Sequence, residues 1–216
     1  MISRCFIAGA GEYSGLYAPG EGDYVIAADG GYSELIKRGI TPDIVVGDFD
    51  SLGSIPDHPN VIRSPQDKDD TDMMLAVKYG LAHGCQTFII DGGLGGRIDH
   101  TYANMQTLTY IANNKARGYL LGRDMSITTT KNSAIHFSSS AKGRVSVFCI
   151  SGIADGVTLT GLKYQLEEAS LTGDYPLGVS NEFIGEPVMI SVRRGMLMVM
   201  WTGGFEVIND SRGKIC

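Results

Sequence analysis

The pattern of this chain changes once, near residue 123, and that change constrains the fold more than any other feature. Upstream, short apolar runs alternate with helical segments. Arg4-Cys5-Phe6-Ile7-Ala8 ends in glycines, Tyr24-Val25-Ile26-Ala27-Ala28 ends at Asp29-Gly30-Gly31, Ile44-Val45-Val46 ends at Gly47-Asp48, and Phe88-Ile89-Ile90 runs into Asp91-Gly92-Gly93. Val61-Ile62 and Tyr119-Leu120-Leu121 read as two further strands. Between these runs the pattern predicts helices over 32–38, stopped by Gly39, over 73–83, with Thr71 or Asp70 as N-cap and Gly84 as the stop, and over 99–116. Apolar strands alternating with helices predict a parallel sheet covered on both faces. Downstream the helical pattern is lost. Segments 126–130, 134–137, 145–150, 157–159, 168–171, 188–192 and 196–201 are short, β-favouring and punctuated by Gly, Asn and Asp. They predict a small antiparallel sandwich or barrel. The expected organisation is an α/β domain over 1–122 followed by an all-β domain over 123–216.

Composition narrows the function. The chain has 216 residues and a formal net charge of −6, which disfavours nonspecific nucleic-acid binding and suits a cationic substrate or a metal-held anion. No apolar run approaches the ~18 residues of a membrane span, and the first residues are too short in apolar content for a signal peptide. Cysteines at 5, 85, 149 and 216 form no close pairs, so a reducing cytoplasm is expected rather than a disulfide scaffold or a zinc site. Glycine is abundant, 29 of 216 residues, where about 7% is usual. Glycines without a repeat period point to tight turns and close approaches of backbone to ligand.

Aspartate density marks the chemistry. Positions 43, 48, 50, 57, 67, 69, 70 and 72 are all Asp. Solvated loops and helix N-termini account for Asp43, Asp57 and Asp67, and can account for Asp70. Asp48 and Asp50 follow a buried strand, at the carboxyl end where open α/β sheets bind ligands. Spaced i, i+2, both can leave the strand end on one side and serve Mg²⁺, which takes one or two carboxylates together with waters and phosphates. Lys68-Asp69-Asp70-Thr71-Asp72 opens a helix, where phosphate can bind and carboxylates can complete a metal shell; plain capping explains it equally. Gly92-Gly93-Leu94-Gly95-Gly96-Arg97-Ile98-Asp99-His100 lies between a strand and a helix. Its glycines permit close backbone approach, Arg97 offers a donor fork for phosphate, and Asp99 is either an N-cap or a ligand.

A competing motif is Gly9-Ala10-Gly11-Glu12-Tyr13-Ser14, one residue short of a dinucleotide-binding GxGxxG, with Asp29 at the distance of a ribose-binding acid. It supports an NAD-type oxidoreductase but leaves Asp48, Asp50, Asp72 and Asp99 without a role. The sequence contains no GxxxxGK[ST].

The ordered set Ala28-Asp29-Gly30-Gly31, Gly47-Asp48-Phe49-Asp50-Ser51, Lys68-Asp69-Asp70-Thr71-Asp72, Gly92 to His100, and Asn104 resembles the thiamine pyrophosphokinase family, bacterial type. The resemblance continues through Thr158 to Tyr164 and Ser180-Asn181-Glu182. It implies a Rossmann-like α/β domain joined to a β-sandwich, a homodimer, and transfer of a pyrophosphoryl group from ATP to thiamine with release of AMP. It further implies Mg²⁺ held by Asp48, Asp50 and Asp72. Asp29, Ser51, Asp69 and Thr71 would line the nucleotide and metal site, Gly30, Gly31, Lys68, Arg97 and Asn104 would also serve ATP, and Arg97 and Asp99 would join the metal ligands in catalysis. Asp99, His100, Tyr164, Ser180 and Asn181 would serve thiamine. A non-catalytic sensor that kept this fold is the remaining alternative.

Overall fold

The computed structural model describes residues 4–15, 17–50, 53–65 and 69–208. The chain divides into two compact units, residues 1–123 and 124–216.

The first unit is an α/β layer structure. Its strands are β1 (Arg4–Ala8), β2 (Tyr24–Ala28), β3 (Ile44–Gly47), β4 (Val61–Arg63), β5 (Thr87–Asp91) and β6 (Arg117–Leu121); its helices are α1 (Gly31–Lys37), α2 (Asp72–Ala82) and α3 (Ile98–Asn113). The strands lie in the order β6-β5-β1-β2-β3-β4, and each neighbouring pair is parallel. From the second residue onward β1, β2 and β5 are buried throughout, as is all of β3, so both faces of the sheet are covered. The chain runs outward from β1 through β2 and β3 to β4, then crosses back to β5 on the other side of β1. Right-handed crossovers therefore set α1 on one face and α2 and α3 on the other. The order reverses between β1 and β5, which makes their carboxyl ends the topological switch point.

The helix ends follow from local chemistry. Thr71 caps α2, its hydroxyl accepting the Met74 N–H at 3.1 Å. Helix α3 starts one residue earlier than its pattern predicts, with Arg97 in the cap position and Asp99 inside the first turn. Gly39 and Gly84, just past α1 and α2, adopt φ of +70° and +85°.

The second unit is a sandwich of two antiparallel sheets. One has the order β12-β9-β14-β7, the other β11-β10-β13-β8. The strands are β7 (Met125–Lys131), β8 (Ala134–Phe137), β9 (Arg144–Cys149), β10 (Ile153–Thr160), β11 (Leu166–Thr172), β12 (Gly178–Glu182), β13 (Val188–Arg194) and β14 (Met196–Thr202). Inward residues alternate with outward ones along β9 and β13. Phe137 of β8 meets Trp201 of β14 edge-on, ring centroids 5.4 Å apart, so the contact bridges the two sheets. Strand β12 is absent from the sequence reading. Its residues, Gly-Val-Ser-Asn-Glu, carry little β propensity, and a Cβ at Gly178 would stand 2.3 Å from the Val147 carbonyl oxygen, so close pairing with β9 holds it in place.

Candidate functional site

The acidic site of the first unit is built from two strand ends, those of β2 and β3. The Asp29 N–H donates to the Val46 carbonyl at 2.8 Å, which ties the end of β2 to the end of β3. Gly47 makes room for this approach: a Cβ there would stand 3.1 Å from the Asp29 Cα and 3.2 Å from the Phe49 ring. Phe49 then takes φ of +64°, a left-handed conformation that costs a bulky residue roughly 1–2 kcal/mol, while its side chain is buried at 3% exposure. This turn, not strand alternation, brings Asp48 and Asp50 together, and the Asp50 N–H donates to Asp48 Oδ1 at 3.1 Å. Asp29, Asp48 and Asp50 each place a carboxylate oxygen within 4.8 Å of the others. Backbone strain held beneath a cluster of like charges is a mark of function.

The resemblance makes Asp48, Asp50 and Asp72 the metal ligands and puts Asp29 beside them; the structure brings Asp29 into one set with Asp48 and Asp50 and leaves Asp72 out of that set. Asp72 is the first residue of α2 and lines an adjacent cleft of about 220 Å³. Gly9, Ala10 and Gly11 line the same cleft after β1, Ala28 and Asp29 after β2, Thr71 to Met73 at the start of α2, Gly92, Gly93 and Gly95 after β5, and His100, Ala103 and Asn104 on α3. The cleft therefore lies at the switch point. The Asn104 amide donates to the Gly93 carbonyl at 2.7 Å, fixing the second glycine loop to α3.

The other predicted positions are distributed as follows. Gly30 is the cap residue of α1, and a Cβ at Gly31 would meet the Ala8 carbonyl oxygen at 2.0 Å, so Gly31 lets α1 pack against the end of β1. Neither lines the cleft. Asp69 is exposed before α2, and Asp70 is bound by Lys78 Nζ at 2.8 and 2.6 Å. Arg97 and Asp99 are both exposed and paired with each other, at 3.2 and 2.6 Å, outside the cleft lining. The Arg97 guanidinium holds the Asp99 carboxyl below the usual carboxylate range, helped by the His100 N–H, and Asp99 raises Arg97 in turn. Ser51 and Lys68 lie outside the described residues.

The dinucleotide-binding motif is not realised. Such a glycine loop must open a helix, whereas residues 9–15 and 17–23 contain none.

In the second unit the predicted residues form a group of their own. Asn181 is 4% exposed. Its Oδ1 accepts the Tyr164 N–H at 3.0 Å and the Glu182 N–H at 2.9 Å, and its Nδ2 donates to the Tyr164 carbonyl at 2.6 Å. The Asn181 amide therefore holds the backbone of Tyr164, a residue left 61% exposed. Lys163 Nζ lies 5.6 Å from the centre of that ring and 3.0 Å from Glu182. Ser180 takes φ of +58° and donates its N–H to Ser146 Oγ at 3.0 Å.

These features define a class: an α/β unit with an acidic, glycine-lined cleft at its switch point, followed by a β-sandwich. Residues 20–120 match the family model of the thiamin pyrophosphokinase catalytic domain, and residues 132–197 match that of the thiamin pyrophosphokinase vitamin B1 binding domain. The chain belongs to the thiamin pyrophosphokinase family. It is 28% identical to thiamine pyrophosphokinase of Bacillus subtilis over 182 residues, 81% of this chain and 85% of that one. To thiamin pyrophosphokinase 1 of Caenorhabditis elegans it is 28% identical over 184 residues, 77% of this chain and 74% of that one. The crystal structure of the Bacillus subtilis enzyme superposes with a TM-score of 0.81 at 25% identity, covering 94% of this chain and all of that one, 100%. A thiamin pyrophosphokinase family protein of Enterococcus faecalis gives 0.78 at 27% identity, with 94% and 100% covered.

Proposed function

We propose that this chain transfers a pyrophosphoryl group from ATP to the hydroxyl of thiamine, giving AMP and thiamine diphosphate. The observation that carries the reading is the convergence of Asp29, Asp48 and Asp50 at two strand ends beside the switch-point cleft. Three oxygen ligands so close together suit a hard divalent cation, and Asp29, Asp48 and Asp50 would hold Mg²⁺. Bound there, the ion would neutralise phosphate charge and help align the displacement. Asp72 stands in the cleft wall as a further acidic group. The capped N-terminus of α2, at Thr71 to Met73, offers backbone N–H groups to phosphate.

Arg97 and Asp99 gain a joint role in this reading. Phosphate competes with Asp99 for the guanidinium, and Asp99, released from Arg97, recovers proton affinity. It is then the better acceptor for a hydroxyl proton. His100, on the same helix, faces the cleft. The thiazolium ring of thiamine is a flat cation, and the exposed Tyr164 offers it a π face. Asn181 contributes by holding Tyr164 in place, and Ser180 stands next to it on β12. The net charge of −6 favours encounter with a cation.

We further infer a homodimer and a reducing, cytoplasmic setting. Buried free thiols at Cys5, Cys85 and Cys149 support the latter, and no described helix is long and apolar enough to cross a membrane. The reading is tested by quantifying AMP and thiamine diphosphate on mixing the protein with ATP, Mg²⁺ and thiamine. Equal amounts of both, dependent on Mg²⁺, are expected. ADP with thiamine monophosphate would overturn it.

A further inference from the structure

The glycine motif that resembles a dinucleotide loop has another use. Strands β1 and β5 are parallel neighbours in which Ala8 pairs with Asp91, so the loops that follow them leave the sheet side by side. The Gly9 N–H donates to the Asp91 carbonyl at 2.8 Å, the Gly11 N–H to Gly92 at 2.7 Å and the Glu12 N–H to Leu94 at 2.8 Å. The contact has no slack. A Cβ at Gly9 would stand 2.5 Å from the Gly92 oxygen, one at Gly11 2.5 Å from the Leu94 oxygen, and one at Gly92 2.6 Å from the Gly9 oxygen. The Tyr13 hydroxyl closes the turn by donating to the Gly9 carbonyl at 2.7 Å, and the Arg38 guanidinium lies 4.3 Å from the centre of the Tyr13 ring.

At the root of both loops sits the Asp91 side chain, 0% exposed. Its Oδ1 accepts the Ser14 N–H at 2.8 Å and the Gly92 N–H at 3.0 Å, and its Oδ2 accepts the Ser14 hydroxyl at 2.9 Å. Ser14, itself buried, occupies the place of the third glycine in the motif. A carboxylate taken out of water is costly unless its lone pairs are met, and here donors from both loops meet them. Asp91 does not line the cleft, but Gly9, Ala10, Gly11, Gly92, Gly93 and Gly95 do.

We propose that Asp91 is a positioning residue: with Ser14 it locks the loop of residues 9–14 against that of residues 92–95, and so sets the glycine wall of the nucleotide cleft. The proposal rests on the reading of that cleft as the ATP site. It assigns the near-GxGxxG motif to cleft construction.

Three variants test it: Ser14→Ala, Asp91→Asn and Asp91→Ala. Ser14→Ala removes the hydroxyl donor. It is expected to raise the KM for MgATP about tenfold and leave the KM for thiamine within about twofold. Asp91→Asn keeps an oxygen for both N–H groups, and its amide can donate to Ser14 Oγ; its KM for MgATP should stay within about threefold of the wild type. Asp91→Ala should lose more than Ser14→Ala. If it does not fold, the other two variants decide. An unchanged KM for MgATP in Ser14→Ala would overturn the proposal. So would an Asp91→Asn variant ten or more times worse than wild type, roughly the cost of a lost charged hydrogen bond, because charge and not geometry would then matter. Should the wild type form no AMP, the functional reading fails, and hydrogen exchange of the amides of residues 9–14 decides the positioning role. Protection should fall in Ser14→Ala and persist in Asp91→Asn; equal protection in all three proteins would refute it.

Discussion

Asp48→Asn should change stability and function in opposite directions. Asp48 shares with Asp29 and Asp50 a cluster whose carboxylate oxygens lie within 4.8 Å of one another. At 4.8 Å two unit charges repel by about 1 kcal/mol in a water-like medium and by about 3–4 kcal/mol at an effective dielectric of 20. Asp50 is exposed and Asp29 and Asp48 are half-buried, so screening favours the low end, about 1 kcal/mol per pair relieved. Asparagine keeps the Oδ1 that accepts the Asp50 N–H, so the turn through Phe49 is preserved. Without metal, the variant should therefore melt a few degrees above the wild type. In Mg²⁺ and ATP the order should reverse, because the wild type gains binding stabilisation that the variant lacks. Thermal melts in EDTA and in excess MgATP, paired with AMP release, read both effects. A variant that melts lower than wild type in EDTA, or that keeps the Mg²⁺-dependent shift and turnover, would refute the reasoning.

Gly9→Ala forces a methyl group to 2.5 Å from the Gly92 oxygen. It should cost about 1–3 kcal/mol of stability and raise the KM for MgATP, seen by melting and by kinetics; unchanged values would show that the loops can part freely. Asn181→Ala frees the Tyr164 backbone, so the KM for thiamine should rise about tenfold or more and that for ATP should not; parallel rises in both would contradict the assigned role. Burial holds the Asp91 carboxyl above the usual carboxylate range. A raised folded-state value gives stabilisation that is complete below the unfolded value and lost as pH rises through the folded one. Asp91→Asn lacks that loss, so its melting temperature relative to wild type should climb from about pH 4 towards pH 7, and a flat difference would count against the shift.

Much of the architecture was legible because its signals are local. The apolar runs that became β1, β2, β3 and β5 run into Gly or Asp, and helices α1 and α2 each stop two residues before their glycine, Gly39 or Gly84. The loss of helical pattern near residue 123 coincides with the point at which contacts divide the chain. What was not legible depends on neighbours far apart in sequence. The family resemblance sets Asp29 near the metal, but its approach to Asp48 and Asp50 depends on β2 and β3 being adjacent and ending level, a register that no spacing rule contains. The left-handed turn at Phe49 carries no sequence signal, since a bulky residue is disfavoured there. Nor does spacing show that Asn181 holds the Tyr164 backbone, a contact made because β12 runs beside the Leu162–Tyr164 segment. The glycines of the two loops read as room for a ligand, yet several of them first make room for each other.

The fate of the phosphorus atoms tests the central claim most directly. With Mg²⁺ and thiamine, ATP labelled at the α-phosphorus should leave all of its label in AMP. ATP labelled at the γ-phosphorus should pass its label to thiamine diphosphate. If γ-label instead appears in thiamine monophosphate or inorganic phosphate, with ADP as the nucleotide product, the acidic cleft does not perform pyrophosphoryl transfer.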